Sequence, residues 1–396
     1  MKVLQINSVC GVGSTGRIAT DLYKVLEEQG HECVIAYGRG TAPEGIKTIK
    51  IGTDFDNYMH VAKTRLFDKH GFGSTKATKE FIKKVKEYNP DVIHLHNIHG
   101  YYINIEILFN YLKEANKKVI WTLHDCWAFT GHCSHFDYVE CNKWMYKCNR
   151  CKQKKEYPSS LLFDMSAYNY EMKKRFFTNV KNLTIITPSK WLESKVKESF
   201  LSGYKTKVIS NGIDLNVFKF TKNNFKENNN IEDKKIVLSV SSIWNEKKGI
   251  RDLLELSEQL TDDYKMVVVG LDKNQISKLP NNIIKMHKTN NLKELVEVYS
   301  AADVFVNLSV EETMGLVTIE AIACGTPSIV YNSTATPETI DDNVGIVVDK
   351  NDIRSIKDAI ERITEDKVYN LNKCYNFAKN FDKNIKYKEY INLYIE

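Results

Sequence analysis

Near-continuous apolar runs recur along the first half of the chain: KVLQINSV (2–9), ECVIAYG (32–38), DVIHLHN (91–97), KVIWTLH (118–124) and LTIITPS (183–189). Val, Ile and Leu without strict alternation predict strands covered on both faces, as in a parallel sheet. Between the first two runs lie GVGSTG (11–16), which reads as a glycine-rich turn, and ATDLYKVLEEQG (19–30), whose apolar positions 22, 25 and 26 predict a helix closing at Gly30. Strand, helix and strand in succession argue a doubly wound α/β fold.

The pattern lapses over 210–235, where Asn, Lys and Asp dominate, so residues 216–234 read as mostly a linker. It then resumes with KIVLSVSS (235–242), a helix over 249–260, KMVVVG (265–270), a helix over 291–302, DVFVNL (303–308) and PSIVY (327–331). A chain of 396 residues also exceeds what one core usually serves. The expectation is two Rossmann-like doubly wound parallel-sheet domains facing a cleft, residues 1–208 and 209–375. Aromatic spacing over 376–396 predicts an amphipathic helix packing across both. Ligands in such sheets bind beyond the carboxyl ends of the strands.

Composition adds little, with 42% hydrophobic and 27% charged residues as in ordinary globular proteins. No run of about 18 apolar residues occurs, and the chain enters its first strand at once, so neither a membrane span nor a signal peptide is expected and the location should be cytoplasmic. Charge is more informative. Residues 1–210 hold 32 Lys+Arg against 21 Asp+Glu, or +11, leaving 24 against 29, or −5, for the remainder of the +6 total. The first half should favour anionic partners.

The densest candidate chemistry is EETMGLVTIEAIACG (311–325). It follows a predicted strand and begins a helix from about Gly315 to Cys324, stopped by Gly325 and Pro327. The amides of Met314, Gly315 and Leu316 would be free donors for phosphate oxygens at a helix N-terminus. Glu312 lies in the loop before the helix and Glu320 inside it. Such a pair suits a ligand made of sugar, diphosphate and ribose; a capping acid and an ordinary polar-face residue are the plainer alternative.

The stretch E-T-M-G-L-V-T-I-E-A-I-A-C-G-T-P (312–327) resembles the E-x7-E region of glycosyltransferase family 4, whose members are retaining, use sugar nucleotides and have the two-Rossmann GT-B architecture. Further segments fall in family order: GVGSTGRI, GHE (30–32), DVIHLHN, TLHD (122–125), TPSKWL (187–192), NGID (211–214), EKKGI (246–250) and GIVVD (345–349). HDCWAFTGHC and the cysteine-rich stretch after it are similar to bacterial enzymes of capsule, O-antigen and colanic-acid-type polysaccharide synthesis. The resemblance implies that Glu320 holds the ribose hydroxyls and that Glu312 contacts the transferred sugar. The amides near Gly315 and Leu316 would meet sugar or diphosphate, Lys248 would neutralise the diphosphate leaving group, and His124 would contact the donor sugar. Lys248 as a solvated lysine and His124 as a buried structural residue are the bland readings. Ser242 stands where the family often has an arginine, which throws more of the diphosphate onto Lys248, helix amides or Arg17. The glycine-rich loop with Gly13, Gly16 and Arg17 would face acceptor and donor phosphates, although it is not a clean dinucleotide fingerprint. His94, His96 and His99 take packing and acceptor roles. No divalent metal is required, because cations and amides can hold the diphosphate.

Cys133, Cys141, Cys148 and Cys151 are spaced C-x7-C-x6-C-x2-C, which fits either a structural zinc or unligated buried thiols. Residues 63–86 carry eight basic against two acidic residues, interleaved with Phe67, Phe72 and Phe81. That is either a solvated face or a dock for anionic lipid headgroups at the inner membrane face. The implied activity is transfer of a sugar from a nucleoside diphosphate to a glycan or lipid-linked acceptor, in surface polysaccharide synthesis. A nucleotide-sugar epimerase of the same fold is the rival enzyme. A zinc-stabilised basic nucleic-acid-binding protein is the non-enzymatic rival, but no motif for nucleic acid is present.

Overall fold

The computed structural model describes residues 1–365 and 369–396. The chain divides into two compact units, Met1–Ile209 together with Tyr387–Glu396, and Ser210–Lys386.

In the first unit the strands are β1 (Lys2–Val9), β2 (Glu32–Arg39), β3 (Thr48–Lys50), β4 (Val92–Leu95), β5 (Lys118–Thr122), β6 (Leu183–Thr187) and β7 (Lys205–Val208). In the second they are β8 (Lys235–Val240), β9 (Tyr264–Val269), β10 (Ile283–Met286), β11 (Val304–Asn307), β12 (Ser328–Tyr331) and β13 (Gly345–Val348). Among the described residues these form a seven-stranded sheet in the order β3-β2-β1-β4-β5-β6-β7 and a six-stranded sheet in the order β10-β9-β8-β11-β12-β13. All the pairings are parallel. Each sheet therefore winds outward from a central pair, β1/β4 or β8/β11, and successive connections leave that pair in opposite directions. Loops at the carboxyl ends of the two central strands part there, which opens a crevice in each unit.

The apolar runs become the middle of these sheets because neither face is wet. Val3, Leu4 and Ile6 of β1 are fully buried, as are Ile236 and Leu238 of β8. One face of the first sheet packs on Phe81, Leu108, Phe109 and Phe177. The other packs on Leu22 and Leu26 of helix Gly13–Glu28, and on Tyr387, Tyr390, Ile391 and Tyr394 near the carboxyl terminus.

Three expectations need correction. Helix Gly13–Glu28 starts inside the predicted turn, so Gly16 and Arg17 are helical. Gly16 is small because the chain folds back on it: its carbonyl accepts from the Gly11 amide at 3.1 Å, and a Cβ would stand 3.1 Å from that same nitrogen. Segment 216–234 is not a free linker. Phe218 and Ile231 are buried in the second core, a short helix spans Phe225–Asn228, and Lys226 Nζ bonds the Asp303 carboxylate at 2.9 Å. Isolated apolar anchors carry no period, so the pattern hid them. The carboxyl-terminal segment is two helices, Leu371–Ala378 and Lys383–Ile395. A 3-10 turn, Lys379–Phe381, and Asp382 separate them, and the chain exchanges backbone hydrogen bonds between Phe381, Ile213 and Lys383 there.

Candidate active site

In the second unit the crevice between β8 and β11 is built from two loops held together by a glycine. Gly249, at φ +73°, ends the turn Glu246–Lys248, and a Cβ there would lie 2.4 Å from the Leu308 carbonyl oxygen. Only glycine lets the two backbones approach so closely. The contact is completed by the Val310 amide donating to Lys247 O at 2.8 Å.

This close approach sets two lysines against two glutamates. Lys247 Nζ lies 3.0 Å from Glu311 Oε2, whose side chain is only 3% exposed. Beside it Lys248 Nζ pairs with Glu312 Oε1, and both of these side chains are partly open to solvent. The Glu312 amide is fixed by Thr334 Oγ1 at 3.0 Å.

Helix Leu316–Ala323 follows, with Gly315 at its N-cap in the left-handed region (φ +87°). No side chain caps it and no acid sits in its first turn. The first amides thus keep their donors for an outside anion. Met314 is buried and receives the Asn211 amide on Sδ at 3.1 Å, which accounts for part of the NGID segment. Gly212 of that segment is packed against the Lys383 backbone. Glu320 accepts from the Tyr299 hydroxyl at 3.1 Å. Lys248, Glu312 and the start of the helix are therefore assembled around one crevice. Ser242 is exposed in the loop after β8.

In the first unit the crevice lies between β1 and β4. Gly13 opens its helix at φ +67°, and Arg17 is exposed just inside it. A cation at a helix N-terminus opposes the helix dipole and gains when an anion arrives. His124 follows β5 and is half-buried. Its Nε2 is 3.2 Å from His96 Nδ1, and His96 Nε2 is 3.1 Å from Gln5 Oε1. His94 contacts Thr122 Oγ1 at 2.8 Å and the Tyr394 hydroxyl at 2.6 Å. Burial pushes His124 down to about 4 and His94 to about 3, and holds His96 well below the ordinary histidine range. All three are neutral imidazoles near pH 7. Asp125 lies 2.9 Å from His99 Nε2. Burial alone would raise Asp125, but the charge and hydrogen bond of His99 outweigh it and keep the carboxylate at about 2.

The family model described as Glycosyltransferase Family 4 matches residues 15–217, and that described as Glycosyl transferases group 1 matches residues 220–386. The chain belongs to glycosyltransferase family 4. It is 23% identical over 370 residues to the putative colanic acid biosynthesis glycosyl transferase WcaC of Escherichia coli K12, covering 89% of this chain and 88% of that protein. It is 29% identical over 219 residues to the Escherichia coli UDP-Gal:alpha-D-GlcNAc-diphosphoundecaprenol alpha-1,3-galactosyltransferase, covering 48% of this chain and 55% of that one. Sucrose-phosphate synthase from Thermosynechococcus elongatus shares the fold at TM-score 0.72 and 20% identity, covering 99% and 98% of the two chains. Anabaena HepE in complex with UDP does so at 0.67 and 14%, covering 99% of each. The architecture is that of GT-B glycosyltransferases.

Two regions of this glycosyltransferase are ones for which the sequence left two readings open. Cys133 and Cys151 are joined by a thiol hydrogen bond, which together with burial holds Cys133 well above the ordinary thiol range. Cys148 Sγ accepts from the Gly131 amide at 3.2 Å. Among the described residues no three His, Cys, Asp or Glu side chains are arranged to hold a metal. In the basic stretch Phe81 is buried, Phe72 is partly buried and Phe67 alone of the three is exposed. Helix Thr75–Tyr88 instead turns Lys76, Lys79, Lys83, Lys84 and Lys86 outward over a buried apolar side, which is a solvated face. The exposed apolar surface sits earlier, on Phe55, Tyr58, Met59, Leu66 and Phe67 of helix Asp54–Phe67. Leu161, Leu162 and Phe163 join it through an Arg65 O to Leu161 amide bond of 2.7 Å and stacked Phe67 and Phe163 rings. No helix among the described residues is long and apolar enough to cross a membrane.

Sequence reasoning missed the Lys247–Glu311 pair, the Tyr299–Glu320 bond and the Gln5–His96–His124 chain. The doubled EE and KK were a usable signal for the first. The others depend on strand register and on partners far apart in sequence.

Proposed function

We propose that this glycosyltransferase moves a hexose from a nucleoside diphosphate sugar to a lipid-linked or glycan acceptor with retention of configuration, in surface polysaccharide assembly. The observation that carries the reading is the Lys248–Glu312 pair beside the uncapped start of helix Leu316–Ala323. The diphosphoundecaprenol-linked acceptor of the Escherichia coli galactosyltransferase supports the acceptor class, and the colanic acid relative supports the polysaccharide setting.

The donor's diphosphate takes the helix amides and draws Lys248 away from Glu312. Glu312 is then released to accept a hydrogen bond from a hydroxyl of the transferred sugar, and Glu320 receives the ribose hydroxyls. As the bond from the anomeric carbon to the phosphate oxygen breaks, its electron pair stays on that oxygen. Lys248 and the amides stabilise the charge that develops. The acceptor hydroxyl forms the new bond on the same face, and its proton passes to the departing phosphate. His124, Gly13, Gly16 and Arg17 are the first unit's own candidates for binding sugar hydroxyls and phosphate. Ser242 adds a hydroxyl in place of a second cation.

The test is turnover of nucleotide sugars with and without a polyprenyl-diphosphate-linked sugar. Donor consumed only with acceptor, giving a product with the donor's anomeric configuration, is the expected result. Isomerised donor sugar without acceptor would establish the epimerase, and an inverted product would overturn retention.

The exposed apolar residues of 55–67 and 161–163, with Lys63, Arg65 and Lys69 nearby, extend the reading to an anionic membrane surface. Co-sedimentation with vesicles of anionic lipid, lost in Leu66→Ser/Phe67→Ser, supports that; indifference to lipid charge and salt sinks it. A structural zinc on Cys133, Cys141, Cys148 and Cys151 is a separate proposal, supported by the Cys133–Cys151 contact and requiring that this hydrogen bond be exchanged for metal. One zinc per purified chain is the expected analysis, and well under one overturns it.

A further inference from the structure

In the second unit, the loop after β12 holds one residue in a backbone conformation that its side chain opposes. Thr334 stands at φ +48°, in the left-handed region. Among the described residues twelve non-glycine positions have a positive φ, six of them asparagine, and Thr334 is the only β-branched one. A branched Cβ crowds the backbone there, so the conformation is strained and persists only where its surroundings impose it. They do so on both sides of the residue. Ala335 and Thr336 are fully buried, and Thr336 Oγ1 lies 2.7 Å from Tyr331 O and 2.6 Å from Ser333 O.

The held turn clamps the loop that carries Glu312. Thr334 Oγ1 accepts from the Glu312 amide at 3.0 Å, and the Ala335 amide donates to the Glu312 carbonyl at 3.4 Å. Ser333 Oγ donates to the Val310 carbonyl at 2.8 Å, while the Val310 amide is held from the other side by Lys247 O. Every backbone polar group of Val310 and Glu312 is thus matched. The bond on the Glu312 amide is the one that needs the Thr334 side chain, and glycine, the residue best suited to the φ, has no hydroxyl to make it.

At its other end Glu312 is held by Lys248, the partner that a diphosphate would draw away. A carboxylate on a loose loop would follow its cation, whereas one on a clamped backbone stays. We propose that Thr334 is a positioning residue: its strained conformation places the hydroxyl that fixes the Glu312 backbone, so that the carboxylate keeps its place when Lys248 turns to the diphosphate.

The effect on turnover rests on Glu312 meeting the donor sugar, as proposed above; the clamp itself does not. Thr334→Gly removes the hydroxyl and the strain together, so it should fold with a urea midpoint near wild type, and Thr334→Ser keeps the hydroxyl without the branch. With UDP-, GDP- and ADP-sugars and a polyprenyl-diphosphate-linked sugar, Thr334→Gly should lower kcat on the order of tenfold or more, as misplacement of a group near the chemistry does. Its affinity for UDP, GDP and ADP without sugar should stay at the wild-type value, and Thr334→Ser should keep the wild-type rate. Hydrogen exchange at the Glu312 amide should be slow in wild type and Thr334→Ser and fast in Thr334→Gly. With Glu312→Gln slow, an unchanged kcat in Thr334→Gly, a serine variant as slow as the glycine one, or a matching loss of nucleotide affinity would overturn the proposal. So would rate losses that multiply when Thr334→Gly is combined with Glu312→Gln, because a residue acting through that carboxylate adds nothing once it is gone. A protected Glu312 amide in wild type with full activity in Glu312→Gln would instead sink the sugar-contact reading and leave the clamp standing.

Discussion

The two units share a strand order outward from a central pair, yet they furnish their crevices in opposite ways. The β1/β4 crevice is lined by polar groups that are buried, uncharged and bonded to one another: Gln5, His94 and His96 with Thr122. The β8/β11 crevice is lined by full charges held in pairs, Lys247 with Glu311 and Lys248 with Glu312. Burial explains both, since an interior tolerates polar groups that are neutral and bonded, or ions that are matched. The difference teaches which part is fixed and which can exchange. A neutral network has its direction set when the protein folds, whereas a part-exposed ion pair can trade one partner for a phosphate.

Acid should separate the two most strongly. His60, His70, His94, His96 and His124 all belong to the first unit, and burial lowers each of them below 6.5. An unfolded chain binds protons at these positions below pH 6.5 and the folded one does not. Their contribution is therefore intact above 6.5 and is lost as pH falls toward the folded values, which are about 4 for His124 and about 3 for His60 and His94. Between pH 7.5 and 5.5 the loss should reach roughly 7 kcal/mol with all five counted. Urea midpoints at the two pH values would show it, and equal midpoints would mean that these rings are solvated.

Lys248→Ala should lower kcat by about 10²–10³, or roughly 3–4 kcal/mol, the usual cost of one donor aimed at developing charge. Its unfolding midpoint should stay near wild type because Glu312 can reach water. The neighbouring Lys247→Ala should do the reverse. It deprives a buried carboxylate of its cation, at about 2 kcal/mol of stability once the partial exposure of Lys247 is allowed for. Equal behaviour of the two lysines, in steady-state kinetics and in denaturant, would break the division between an exchangeable and a structural pair. The smallest effect should come from Gly13→Ala. That position has open space around it but a positive φ, so about 1 kcal/mol of strain is expected with no clash.

The sheets were legible because buried parallel strands write themselves as apolar runs. EETMGLVTIEAIACG showed its helix through Gly325 and Pro327, which stop the chain wherever it is. The early start of the first helix was not legible, since Gly13 and Gly16 read as a turn until the close contact of Gly16 with Gly11 is seen. Phe218 and Ile231 were hidden in a polar segment for want of neighbours that make a period. Lys248 and Glu312 could each be picked out, but their pairing spans 64 positions and depends on Gly249 against Leu308. The roles of His96 and Tyr394 are set by register and by the return of the chain's end to the first unit.

The central claim is that the second unit binds a nucleoside diphosphate through the start of helix Leu316–Ala323 and Glu320. Thermal unfolding of wild type and Glu320→Ala with UDP, GDP and ADP and their sugar conjugates tests it most directly, because a ligand that binds only the folded state must raise the midpoint. The account predicts a rise with one base and its conjugates, reduced or abolished in Glu320→Ala. No rise with any nucleotide, or an equal rise in both proteins, would contradict it.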